Sequence, residues 1–82
     1  MSNRVDILVP EFGHGLTDAL VVEWLVSVGD DVERGDVVAV LETDKSSVDL
    51  VAERSGTIAD IAVAARSITT SGAVLYSLDE RQ

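Results

Sequence analysis

Few side chains in this sequence could do chemistry, and one stands by itself. Lys45, in "LETDKSSVDL" (41–50), is the only lysine of an 82-residue chain that carries five arginines. It sits between Asp44 and two serines, with apolar residues on either side. A solitary lysine is what a site-specific amide modification leaves behind; a charged residue that keeps a turn solvated looks the same in sequence. Cysteine is absent, which removes disulfides, thiolate nucleophiles and thiolate metal sites. His14 is the only histidine, so no histidine cluster can hold a metal. Carboxylates are abundant, and Glu42, Asp44 and Asp49 lie close to Lys45 in sequence. Paired carboxylates can serve acid–base catalysis, but nothing in a chain this short marks a pocket around them.

The net charge of −9 argues against nucleic acid and against anionic membranes, both of which require clustered Lys and Arg. It suits a soluble protein and a partner with a basic face. "MSNRVD" has neither a signal-peptide nor a transit-peptide pattern, and a cytoplasmic, reducing setting is expected. With 46% apolar and 26% charged residues the chain is globular, and residues 1–82 are read as a single domain.

What must position Lys45 is a set of strands. Turn signals recur at "PEFGHG" (10–15), "GDD" (29–31), "RG" (34–35) and "SG" (55–56 and 71–72). Between them lie "VDILVP", "ALVVEWLV", "DVVAVLE", "SVDLVA", "TIADIAV" and "AVLYSL", too short for typical helices and rich in β-branched residues. The Ala-rich "IADIAVAARSI" has some helical character and is the weakest strand. Trp24 reads as strand packing, His14 as an exposed loop residue. The result is an all-β chain, a small sandwich or barrel.

A two-residue connection at Asp44–Lys45 sets one register: Thr43 faces Ser46, Glu42 faces Ser47, Leu41 faces Val48, Val40 faces Asp49 and Ala39 faces Leu50. Side chains alternate along strands, so Ala39, Leu41, Val48 and Leu50 then share one face, while Glu42, Ser47 and Asp49 share the other. A one-residue slip would drive the acids into the core. Asp-Lys is not a favoured pair for a two-residue I′ turn, and "TDKS" suits a type I turn better. Either turn leaves Lys45 at an exposed tip.

The chain also repeats itself at an offset of 37 residues. Val26 falls on Val63, Gly35 on Gly72, Val37 on Val74 and Leu41 on Leu78; Glu23, Trp24, Val38 and Glu42 fall on Asp60, Ile61, Leu75 and Asp79. Lys45 falls on Gln82, so one copy ends in the lysine hairpin and the other at the terminus, at opposite ends of a pseudo-symmetric body.

The run Glu42-Thr43-Asp44-Lys45 followed by a small residue resembles the lipoylation hairpin of lipoyl domains. These belong to the biotinyl/lipoyl carrier family, in the acyltransferase (E2) components of 2-oxo acid dehydrogenase complexes. "VEWLVSVGDDVERGDVVAVLETDK" (22–45), "ILVPEFGHG" and "SGTIADIAV" (55–63) are similar to that family in turn, and the ten-residue step from Gly35 to Lys45 is the family's own. The resemblance implies a flattened barrel, or barrel-sandwich hybrid, of two four-stranded antiparallel sheets with quasi-twofold symmetry. It implies lipoic acid in amide linkage to Lys45, serving the decarboxylase (E1), the acyltransferase core (E2) and dihydrolipoamide dehydrogenase (E3). Lipoylation enzymes are further partners. The isolated domain would be a monomer and not an enzyme, with recognition falling to Glu42, Thr43, Asp44, Ser46, Phe12 and His14 around the lysine.

Three departures and two alternatives accompany that resemblance. Arg66-Ser67 stands where the family has a Gly-Asp turn answering Gly29-Asp30; if the turn needs φ > 0, Arg66 is strained or the turn is remodelled. "TTS" (69–71) replaces a more apolar pattern, and His14 stands where an acid is frequent. One alternative is a biotinyl carrier, but that family shows Met-Lys-Met, and here Asp44 and Ser46 flank the lysine. The other is an unmodified interaction scaffold of the same fold. The lipoate-carrying glycine cleavage H protein is longer than this chain.

Overall fold

Short runs of Val, Ile and Leu whose alternate residues turn inward build eight strands in a computed structural model that describes residues 3–10, 18–44 and 46–80. They are β1 (Asn3–Leu8), β2 (Asp18–Trp24), β3 (Asp31–Val32), β4 (Val37–Glu42), β5 (Ser47–Val51), β6 (Gly56–Ile61), β7 (Ile68–Thr70) and β8 (Val74–Glu80). Two four-stranded antiparallel sheets result, one ordered β1-β8-β6-β3 and the other β5-β4-β2-β7. The Ala-rich stretch expected to be the weakest strand forms β6 up to Ile61 and then turns. The sequence runs missed β3 and β7, which are two and three residues long.

The internal repeat is visible bond by bond. Leu20↔Glu42, Val21↔Leu41, Glu23↔Val40 and Trp24↔Ala39 pair β2 with β4. At the same offset, Thr57↔Asp79, Ile58↔Leu78, Asp60↔Ser77 and Ile61↔Tyr76 pair β6 with β8. The bulges repeat as well, between Val21/Glu23 and between Ile58/Asp60. β1 joins β8 as β5 joins β4: Arg4↔Asp79 answers Ser47↔Glu42, and Ile7↔Tyr76 answers Leu50↔Ala39. The pairing of β4 with β5 and the pairing of β8 with β1 therefore occupy equivalent places; Lys45 and Gln82, which the repeat superposes, lie outside the described residues.

Between the sheets lie Val21, Val32, Val38, Leu41, Ile58, Leu75, Tyr76 and Leu78, all essentially inaccessible. Large and small residues complement each other across the pseudo-twofold. Trp24 pairs with Ala39, Ile61 with Tyr76, and the two aromatic rings meet edge to face with centroids 5.9 Å apart. Trp24 Nε1 donates to the Val63 carbonyl at 2.8 Å, satisfying its one polar atom. Gly56 allows β6 and β8 to approach: a Cβ there would overlap the Asp79 carbonyl oxygen and press on Leu78.

Turn chemistry separates the two copies. Gly29 N donates to the Ile58 carbonyl at 2.8 Å, and Arg66 N donates to the Val21 carbonyl at 2.6 Å, the equivalent bond. The turn is thus preserved, and Arg66 adopts φ 69° where Gly29 has φ 95°. Asp30 accepts from Ser27 N at 2.8 Å and Asp36 accepts from Glu33 N at 2.9 Å, so each side chain closes a turn of the first copy. Ser67 and Ala73 hold the corresponding places in the second.

Candidate functional site

The β4–β5 hairpin has the register that alternation requires: Ala39↔Leu50, Val40↔Asp49, Leu41↔Val48 and Glu42↔Ser47. Ala39, Leu41 and Leu50 are buried, and this inward row anchors the hairpin to the core. Glu42, Ser47 and Asp49 are exposed on the opposite face. Beyond Glu42 the hairpin closes on a short clasp. Thr43 N donates to the Ser46 carbonyl at 2.8 Å, and the Thr43 hydroxyl donates to that same oxygen at 3.1 Å. Ser46 N donates back to Thr43 Oγ1 at 3.3 Å. These bonds tie Thr43 to Ser46 and extend the β4–β5 pairing beyond Glu42↔Ser47.

Lys45, Phe12 and His14, all expected near the site, lie outside the described residues. Of the others, Glu42, Asp44 and Ser46 are exposed and Thr43 is half-buried by the clasp. The remaining acids read from sequence as a solvated face (Glu23, Asp30, Asp31, Glu33, Asp36 and Asp49) are also exposed. Asp31 nevertheless accepts from the Thr57 hydroxyl at 2.8 Å.

Sequence reasoning missed the flank of the hairpin. A shallow depression beside the tip is lined by Asp18, Leu20, Glu42, Thr43, Asp44 and Ile68. Ile68 lies on β7, the three-residue strand with no alternation of its own to read. A longer groove runs between edge strands β1 and β5, lined by Val5, Leu8, Pro10, Val48 and Val51. Among the described residues no three His, Cys, Asp or Glu side chains gather to hold a metal. In the core, burial, reinforced by the charge of Glu53, raises the Tyr76 phenol. Anchored strands and exposed neighbours suit this hairpin to presenting a group rather than enclosing one.

A family model described as "Biotin-requiring enzyme", covering biotin and lipoyl attachment, matches residues 5–78. A 51-residue segment is 43% identical to the dihydrolipoyllysine-residue succinyltransferase component of the 2-oxoglutarate dehydrogenase complex of Staphylococcus aureus strain USA300. That segment is 62% of this chain and 12% of the succinyltransferase, so the chain spans a small part of such relatives. The solution structure of the lipoyl domain of the 2-oxoglutarate dehydrogenase complex from Azotobacter vinelandii superposes with a TM-score of 0.78 at 32% identity. The superposition covers 95% of this chain and 99% of that one.

Proposed function

Because the chain belongs to the biotinyl/lipoyl carrier family and is a lipoyl domain, we propose that Lys45 is its point of lipoate attachment. The lipoylated hairpin then carries acyl groups and reducing equivalents among the decarboxylase, the acyltransferase core and dihydrolipoamide dehydrogenase of a 2-oxoglutarate dehydrogenase complex. The observation that supports this reading is the register of β4 with β5, which ends at Glu42↔Ser47 on either side of the segment that holds the chain's only lysine in sequence. The likeness of segment and fold to two proteins of 2-oxoglutarate complexes supports the choice of oxo acid.

The residues present fit the group. Glu42, Asp44 and Ser46, the described neighbours of the lysine, are exposed, which leaves this stretch of the hairpin open to an attachment enzyme. Once attached, the dithiolane supplies the acyl-accepting and redox chemistry. The chain's own part is mechanical and electrostatic. Amide formation removes the ammonium charge, taking the net charge from −9 to about −10, so Lys45 serves as a tether and not as a base. The buried row Ala39, Leu41 and Leu50 anchors β4 and β5 to the core, and tethering raises the arm's effective concentration at each enzyme. A chain without cysteine offers no thiol to exchange with a dihydrolipoyl group. Residues 1–82 act in this reading as one non-catalytic, monomeric carrier domain in the cytoplasm. A biotinyl carrier is the weaker reading, since Asp44 and Ser46 flank Lys45 where biotin carriers have methionines.

Reductive acylation tests the proposal. The lipoylated domain is mixed with the purified decarboxylase component of a 2-oxoglutarate complex and its labelled oxo acid, and in parallel with a pyruvate decarboxylase component. Label on the domain from 2-oxoglutarate, at a rate well above that from pyruvate, is the expected result. No label from either enzyme would contradict it.

A further inference from the structure

The two sheets present the same backbone with opposite chemistry at one place, and that place adjoins the lysine hairpin. Across the second sheet Ile68 opposes Leu20, Leu20 opposes Glu42, and Glu42 opposes Ser47. The equivalent row of the first sheet is Asp31, Thr57, Asp79 and Arg4. One step inward, Val40 opposes Asp49 where Ser77 opposes Asp6. The first sheet is polar and internally bonded at these positions: Thr57 Oγ1 donates to Asp31 at 2.8 Å, and Ser77 Oγ donates to Asp6 at 2.9 Å. The second sheet has isoleucine, leucine and valine instead, and Ile68 is 65% exposed. The fold therefore does not require apolar residues here, because its own other half does without them. Leu20 and Val40 beside it are half-buried, and an apolar strip with an exposed residue that folding does not need marks an interaction surface.

Position and charge identify the occupant. β7 lies two strands from β4, about 10 Å away, so the strip is within reach of a partner that sits on the β4–β5 hairpin. Asp18, Glu42, Asp44 and Asp49 are exposed around it. An apolar centre with a charged rim is the usual build of a specific, steered interface. Attachment of a cofactor to the amine draws the tip itself into an active site. A long arm already in place leaves the domain resting on the mouth of one, and a broad shallow strip fits the mouth. Building on the carrier reading above, we propose that Ile68, Leu20 and Val40, rimmed by those four carboxylates, dock the domain onto the decarboxylase that loads the arm. The decarboxylase contributes an apolar patch flanked by Lys and Arg.

The test exchanges the chemistry of the two sheets. Leu20→Thr/Ile68→Asp installs the residues found at positions 57 and 31, a pair the fold already accommodates; Ile68→Ala is a milder second variant. Each protein is lipoylated, checked by intact mass and thermal unfolding, and assayed for reductive acylation by the decarboxylase. The double variant is expected to lose at least tenfold in kcat/KM, mainly through KM, and Ile68→Ala about threefold. The reciprocal Asp31→Ile/Thr57→Leu should stay within twofold of wild type. The proposal is overturned if the double variant stays within twofold, if the reciprocal variant loses as much, or if only the rate of lipoate attachment falls. A wild-type domain that takes no lipoyl group overturns the carrier reading and this surface with it. An acylated wild type with an unimpaired double variant overturns the surface alone.

Discussion

Arg66→Gly probes the turn where the second copy has a non-glycine residue at positive φ in place of Gly29. Arg66 occupies the left-handed region at φ 69°, and its backbone N–H is already bonded to the Val21 carbonyl. Glycine preserves that bond and removes the clash between Cβ and the following carbonyl, which costs an L-residue about 1–2 kcal/mol. The added freedom of glycine in the unfolded chain takes back about 0.4–1 kcal/mol. The Arg66 side chain is exposed, so little packing is lost. The net expectation is a gain of about 0.5–1 kcal/mol, or roughly 3–6 °C in Tm for a domain of this size. Thermal unfolding followed by circular dichroism, with urea titration as a second probe, measures it. The companion variant Arg66→Ala keeps the Cβ and should gain nothing. The reciprocal change, Gly29→Ala, meets no atom within 4 Å and should cost about 1–2 kcal/mol from backbone strain at φ 95°. An Arg66→Gly protein no more stable than wild type, or an Arg66→Ala protein equally stabilised, would refute the reasoning.

Other outcomes follow from the same geometry. Gly56→Ala should lower stability by about 3 kcal/mol or more in urea titration, because its Cβ would overlap the backbone carbonyl of Asp79, which cannot move aside as a side chain could. Thr43→Val removes the hydroxyl's bonds to Ser46 at similar volume, and should cost about 1 kcal/mol while slowing lipoate attachment in a ligase assay. Burial raises the Tyr76 phenol, so the folded state holds that proton more tightly than the unfolded chain. The associated stability is complete below about pH 10 and is lost as pH rises through the elevated folded value. Unfolding free energies at pH 8 and pH 11 should fall less steeply between the two in Tyr76→Phe than in wild type.

How much was legible depended on the length over which a pattern could be read. Ala39–Glu42 and Ser47–Leu50 are long enough to alternate, and only one register buries Leu41 and Leu50 while exposing Glu42 and Asp49. The duplication showed through Gly35 and Gly72, which share φ values of 99° and 87° that other residues adopt only with strain. Arg66 was flagged as either strained or remodelled, and the turn's two backbone bonds to Val21 decide for strain. β3 and β7 were invisible because two or three residues cannot show a period; their pairing with β6 and β2 creates them. Ile68 and the flank of the hairpin were lost with β7. Asp30 and Asp36 looked like ordinary surface acids because their roles are bonds to backbone amides three residues earlier.

The central claim is that Lys45 carries lipoate, and intact mass spectrometry tests it most directly. The domain is expressed with a lipoate ligase and supplied with lipoic acid, then weighed whole and mapped by peptide fragmentation. The account predicts a gain of one lipoyl amide, located on the peptide containing Glu42-Thr43-Asp44-Lys45 and absent from a Lys45→Arg variant. An unmodified mass, a gain that persists in Lys45→Arg, or biotin taken up in place of lipoate would contradict it.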